Sequence, residues 1–213
     1  MGIFMDVTPC KNCFLSLRDI LGLSLKIIMV IWVSLGFPPN YFTAHAADTY
    51  GPACGTAVID GIANPAEWSG ASAQTFQMVN PGNQQVLEAT LRVMNDKNFL
   101  FLGLTINDDE FTTQAQFLPG GDAFRIDFDN DHSGSLFAVG DDNLFIQAGN
   151  PQFSDQYIAE GTSAAADTTG GGTSDGTGAA SRQGSLNHFE LKHPLCSGDQ
   201  RDFCLHPGDI VGF

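Results

Sequence analysis

Apolar and polar residues alternate along much of this chain with a period of two. In "VLEATLRVMN", Leu87, Ala89, Leu91 and Val93 fall on one face while Glu88, Thr90 and Arg92 take the other, which is the pattern of a half-buried strand. The turn "NDKN" follows, and "FLFLGLTI" then places Leu100, Leu102, Leu104 and Ile106 on one face. Two such runs around a short Asn/Asp turn predict a β-hairpin. Further strands are predicted near residues 57–59, 75–79, 123–128, 144–147, 188–191 and 210–213. No long amphipathic helix competes with them. The expected fold class is therefore all-β, an antiparallel β-sandwich of the jelly-roll or immunoglobulin-like kind.

Two stretches break the alternation. Ile27 to Phe37 is a continuous apolar run, preceded by Lys11, Arg18 and Lys26 and followed by Pro38, Pro39 and the small-x-small sequence Ala44-His45-Ala46. It is too short to span a bilayer but has the length of a signal-peptide core. Residues 1–46 are expected to be a signal peptide cleaved after Ala46. Residues 47–213 then form one exported domain, periplasmic or extracellular, with no membrane insertion after cleavage. The second stretch, residues 159–185, "AEGTSAAADTTGGGTSDGTGAASRQGS", is rich in Gly, Ser, Thr and Ala. Strand-like sequence resumes directly after it with too few residues for a second core, so it is expected to be a long loop within one domain. Long ordered loops are often held by a ligand or an ion, and Asp167 and Asp175 would supply oxygens for one.

Charge narrows the partners. Three of the nine Lys/Arg and two of the 24 Asp/Glu precede residue 47, which leaves six basic and 22 acidic residues and a net charge of −16. Such a surface repels nucleic acid and anionic lipid and attracts cations. Of the five cysteines, Cys10 and Cys13 lie in the segment expected to be removed. Cys196 and Cys204 bracket "CSGDQRDFC" and are the expected disulfide in an oxidising exterior. Cys54 is left over, as a free thiol or with a partner beyond Phe213.

The acids are not evenly spread. Asp129-Asn130-Asp131-His132-Ser133-Gly134 fits D-x-D-x-S-G, the first half of a calcium loop. Alternate residues of a tight loop can point inward together, and a hard divalent cation takes six to eight oxygens. The second half departs from the EF-hand pattern, since Gly140 stands where a bidentate Glu belongs; Asp141 and Asp142 follow and would close the site from another direction. An acidic β-turn solvated by water is the plainer alternative. Calcium is the expectation because so many neighbouring carboxylates repel one another without a cation. The donors are then Asp129, Asp131, Ser133, Asp141 and Asp142, with Asp175 weaker.

Several segments in order resemble one family. "AVIDGIANPAEWSGA", "LRVMNDKNFLFLGLTINDDEF", "GDAFRIDFDND", "HFELKHPLCSGD" and "LHPGDIVGF" are together similar to carbohydrate-binding module family 9-like, DOMON-related domains, from about Ala57 to Phe213. The resemblance implies a β-sandwich, structural calcium and binding of oligo- or polysaccharide. It makes Asp60 and Trp68 fold-determining positions and adds Asp127, with Asp108 and Asp122 more weakly, to the acids near metal. It also implies one or two further strands after Phe213. Sugar-binding members clamp their ligand between aromatic rings, yet Trp68 is the only Trp after residue 46. Tyr157 and Phe153 are the expected substitutes.

No catalytic constellation is visible, so the chain is expected to be non-catalytic; the resemblance implies a role in carbohydrate binding and catabolism, with a glycoside hydrolase acting on O-glycosyl bonds as the expected partner. His188 and His193 are assigned to packing or surface. The rival reading is a haem-binding sandwich for extracytoplasmic electron transfer, with axial ligands drawn from Met78, Met94, His188, Lys192 and His193. A calcium-dependent structural or adhesion domain is the third.

Overall fold

Period-two alternation produces strands that pair as the sequence requires. The computed structural model describes residues 53–79, 84–115, 121–130, 138–150, 153–160, 164–206 and 208–213, together with the backbone pairing of three short strands before them. In chain order the strands are β1 (Phe4–Val7), β2 (Thr43–Ala44), β3 (Thr49–Tyr50), β4 (Ser72–Val79), β5 (Val86–Asn95), β6 (Phe99–Asn107), β7 (Gln114–Ala115), β8 (Ala123–Phe128), β9 (Asp142–Gln147), β10 (Gly149–Asn150), β11 (Phe153–Ile158), β12 (Ala164–Ala166), β13 (Thr177–Gln183), β14 (Leu186–Pro194) and β15 (Asp209–Gly212). A single 3-10 turn, Asp167–Thr169, is the one helical element among the described residues. None of them forms a helix long and apolar enough to cross a membrane.

The larger sheet has the order β13-β14-β6-β5-β4-β2 and the smaller one β12-β11-β9-β8, all antiparallel. The β5–β6 hairpin pairs Leu91 with Leu104 and Val93 with Leu102. Its turn is fastened by Asp96, whose carboxylate accepts the Asn98 and Phe99 backbone N–H groups at 2.7 Å each. Apart from these sheets, β1 lies between β15 and β3, antiparallel to the first and parallel to the second, and β7 pairs with β10. So Phe4–Val7, within the segment expected to be removed, runs beside the last strand.

The core fills the space between the two sheets. Leu91, Leu102, Leu104, Phe189 and Leu191 from the larger sheet meet Phe124, Ile126, Phe128, Leu144 and Ile146 from the smaller one. The fold is thus a β-sandwich. The outer face of the larger sheet carries a second, smaller cluster in which Trp68 covers Met94 and Phe101. Trp68 lies so close to β6 that a Cβ at Gly103 would sit 2.9 Å from its ring. Its indole N–H donates to Glu190 at 2.9 Å, and the other Glu190 oxygen accepts the Gly61 and Asp60 backbone N–H groups at 2.9 and 3.2 Å. This buried carboxylate therefore pins the opening segment to β14. Burial raises its pKa, opposed by the Trp68, Gly61 and Asp60 donors.

Residues 159–185 are not the single loop expected from composition. They hold β12, the 3-10 turn and β13, which pairs with β14 over seven residues from Thr177↔Lys192 to Gln183↔Leu186. Small residues explain this: β13 lies at the sheet edge, where Gly178 contacts Phe153 and Ala180 joins the core without needing bulk. Met78 and Met94 are both core residues. Lys192 stands over the Phe99 ring, 4.7 Å from its centroid, and His188 Nδ1 lies 3.3 Å from the Thr105 hydroxyl. These haem-ligand alternatives are spread over both faces of the sheet and do not converge.

Candidate metal centre

Alternation along a strand fixes which side chains enter the core, and at three positions it sends in a polar one. On β9, Asp142 shares the face of Leu144 and Ile146. On β11, Asp155 pairs across from Leu144. On β14, His193 continues the inward phase of Phe189 and Leu191. The 3-10 turn adds Asp167, and the loop closed by the Cys196–Cys204 disulfide adds Asp202. Five separated segments thus deliver four carboxylates and one imidazole to one end of the sandwich.

All five are buried, with exposures of 0% for Asp142, Asp167 and His193, 3% for Asp155 and 8% for Asp202. One ligand atom each from Asp142, His193 and Asp202 lies within 4.8 Å of the others, and the same holds for Asp155, Asp167 and Asp202. Asp142 Oδ1, Asp155 Oδ1, both oxygens of Asp167, both of Asp202 and His193 Nε2 have no hydrogen-bond partner. That makes six oxygens and one nitrogen. Among the described residues no Lys or Arg forms an ion pair with them; His193 lies 3.4 Å from Asp155 and 3.6 Å from Asp202.

The electrostatics follow from that crowding. With no cation present, burial pushes Asp142 up to about 8, with Asp155 and Asp202 adding to the rise against His193. Burial also raises Asp167 and Asp202. For His193, burial lowers the imidazole pKa, but Asp155, Asp142 and Asp202 outweigh it and leave it raised. Buried charges of one sign are tolerated when a metal ion pairs with them. The donor set fits a divalent cation in charge and number. Six carboxylate oxygens suit calcium, whereas the imidazole nitrogen lies outside the oxygen-only sets that calcium takes.

Of the residues the sequence singled out for a metal or ion, Asp142 and Asp167 enter this cage. Asp175 stands at its edge, donating its N–H to Asp155 at 2.9 Å and lying within 4.8 Å of Asp199 and Asp202 through one ligand atom each. Asp127 turns to the other face of β8, where the Arg125 guanidinium and the Asn143 amide bind it. Asp129 bridges to Gly212 through its backbone. Asp141 accepts the Ala138 and Asn130 N–H groups at 2.9 and 3.3 Å. Asp108 accepts the Glu110 N–H, and Asp122 accepts from Thr112 and the Asn187 amide. Asp131 and Ser133 lie outside the described residues. Asp155, His193 and Asp202 were not singled out for metal; each was findable as a polar residue in an apolar phase or inside the disulfide loop.

The expected sugar platforms are engaged elsewhere. Phe153 packs on the core and against Gly176 and Gly178. Tyr157 contacts Gly170 and lies beneath the Arg201 guanidinium, 4.3 Å from its ring centroid. An open groove of about 400 Å³ runs beside the cage, between residues 170–173 and 197–201.

The Cys196–Cys204 disulfide forms as expected and carries Asp202 within its loop. Cys54 is also disulfide-bonded, so it is not a free thiol. Cys196→Ser is expected to destabilise the protein by about 2.5 kcal/mol, from the loop-closure entropy of so short a ring. The effect should appear under oxidising conditions and vanish in reductant; thermal melts with and without dithiothreitol check it.

No protein-family model matches the chain, and no curated protein matches it. Among solved structures the chain is similar to a carbohydrate binding module family 9 (CBM9) from Caldicellulosiruptor kristjanssonii in complex with cellotriose, at 14% identity over 67% of this chain and 65% of that one, with a TM-score of 0.45. It is similar also to a carbohydrate binding module family 9 from the same organism in complex with glucose, at 14% identity over 68% and 67%, again with a TM-score of 0.45. The chain spans 65% of the length of the first of these.

Proposed function

We propose that this chain is an exported, non-catalytic, saccharide-binding β-sandwich whose loop end is locked by a bound divalent cation. One observation carries the reading: six oxygens of four buried aspartates meet no hydrogen-bond donor. Four carboxylates cannot all ionise in a dry interior without counter-charge. A dication supplies that charge and the ligation together. The calcium expected from the sequence is retained here for its charge alone.

The saccharide half of the reading is supported by the ordered motifs between Ala57 and Phe213 and by the groove beside the cage. Thr173, Asp199, Gln200 and Arg201 line that groove and offer the mixed donors and acceptors that sugar hydroxyls need. Asp199 is preorganised as an acceptor: the Arg201 backbone N–H, followed by Thr173, holds its carboxyl below the usual range, against partial desolvation. Catalysis is disfavoured because the cage acids converge in a buried cluster. Glycosidase carboxylates instead flank an open cleft, roughly 5–9.5 Å apart.

A glycan array probed with cation-loaded and chelated protein tests the proposal. The loaded form is expected to bind oligosaccharides, chelation to abolish the signal, and Arg201→Ala to weaken it about tenfold, the loss of one charge-assisted hydrogen bond. A loaded protein that binds no glycan overturns the saccharide reading and leaves a cation-dependent structural or adhesion domain.

A further inference from the structure

We infer that the cage selects a first-row transition-metal dication, through His193, rather than calcium. This rests on the reading of the cage as a dication site and adds the class of ion. His193 is fully buried on β14. Its Nδ1 lies 2.9 Å from the Pro194 carbonyl oxygen, which can only accept, so Nδ1 carries a proton and Nε2 is the ring atom turned to the cluster. Nε2 lies 3.4 Å from Asp155 Oδ2 and 3.6 Å from Asp202 Oδ2 and has no hydrogen-bond partner.

A lone pair facing two carboxylates is repulsive unless something positive sits between them. A second proton on His193 would answer for one carboxylate of the four and leave the Asp142, Asp167 and Asp202 oxygens without donors. A metal ion held by Asp142, His193 and Asp202 answers for three segments at once, and Asp202 also belongs to the group with Asp155 and Asp167. Metal-bound histidine characteristically gives its other N–H to a carbonyl or carboxylate, which fixes tautomer and ring orientation; Pro194 takes that part here. Phe203 further confines the imidazole, with ring centroids 4.8 Å apart, and itself stacks on Phe128 at 4.5 Å. The ring is therefore held for its role.

Ion identity follows from donor softness. Calcium and magnesium take oxygen sets. Imidazole suits zinc, iron, nickel and copper, and carboxylates suit manganese, so one nitrogen among oxygens favours the series from manganese to zinc. Within that series zinc binds more tightly than manganese.

The test uses the full chain, stripped with EDTA and dialysed, as wild type and as His193→Gln. Calorimetric titrations with zinc, manganese and calcium chlorides give the affinities, and the change in cobalt(II) absorption between wild type and His193→Gln reports whether the imidazole is a ligand. Glutamine replaces the nitrogen with an amide oxygen, so an oxygen-seeking ion keeps its donor count. Zinc and manganese are expected to bind wild type at least tenfold more tightly than calcium, and the cobalt ligand-field band of wild type to shift in His193→Gln. In His193→Gln the zinc affinity should fall roughly 10–100-fold or more, the range seen when even an outer partner of a metal ligand is lost, while calcium affinity holds. Calcium binding tighter than both zinc and manganese, with His193→Gln neutral for all three, overturns the inference and leaves the dication reading standing. Binding of none of the ions overturns both. Should His193→Gln fail to fold, the wild-type affinity order decides.

Discussion

Chelation of the cation-loaded protein is expected to lower its melting temperature by roughly 8–16 °C. An ion present at a thousand times its dissociation constant stabilises the native state by about 4 kcal/mol. For a domain of this size each kcal/mol moves the midpoint by about 2–4 °C. The mechanism is local. Asp142, Asp155, Asp167 and Asp202 bring together the smaller sheet, the 3-10 turn and the disulfide loop, and with the ion gone their carboxylates repel one another. Re-adding a dication should restore the midpoint. Calorimetric scans that ignore both EDTA and added metal would sink the cation reading.

Trp68→Ala is expected to destabilise the fold by about 3–5 kcal/mol, the usual range for deleting a buried aromatic. Two losses combine. The indole leaves a void over Met94, Phe101 and Gly103, and Glu190 loses one of the donors that satisfy its buried carboxylate. Trp68→Phe separates them, since it keeps most of the ring volume and removes the N–H. Its expected loss is about 1–3 kcal/mol, the penalty for a buried polar group left unsatisfied. Urea unfolding measures both variants, and equal midpoints for wild type and Trp68→Ala would show that the outer cluster adds nothing.

Much of the fold was legible because it is written in alternation. The β5–β6 hairpin falls on the predicted residues, and Leu100, Leu102, Leu104 and Ile106 enter the core as their period required. Trp68 was legible as a fold position through its place in the opening motif that carries the family resemblance. β13 was not, because Gly178, Ala179 and Ala180 read as linker composition and become a strand only beside β14. The candidate metal centre was half legible. Runs of adjacent acids drew attention to residues 127–142, yet adjacency along a strand sends alternate carboxylates to opposite faces. Asp127 goes outward to Arg125 and Asp142 inward to the cage. Asp155, His193 and Asp202 lie 13 or more residues from Asp142, and only pairing across sheets gathers them.

The disulfide loop also sets an order of events. Asp202 is contributed by a ring that closes only when Cys196 and Cys204 lose their thiols. On the exported, cation-binding reading proposed above, a chain with free thiols presents Asp142, Asp155, Asp167 and His193 without the closed ring that carries Asp202. On that reading, sulfur oxidation comes before capture of the ion, and the metal finally retained is drawn from the surroundings in which the chain matures.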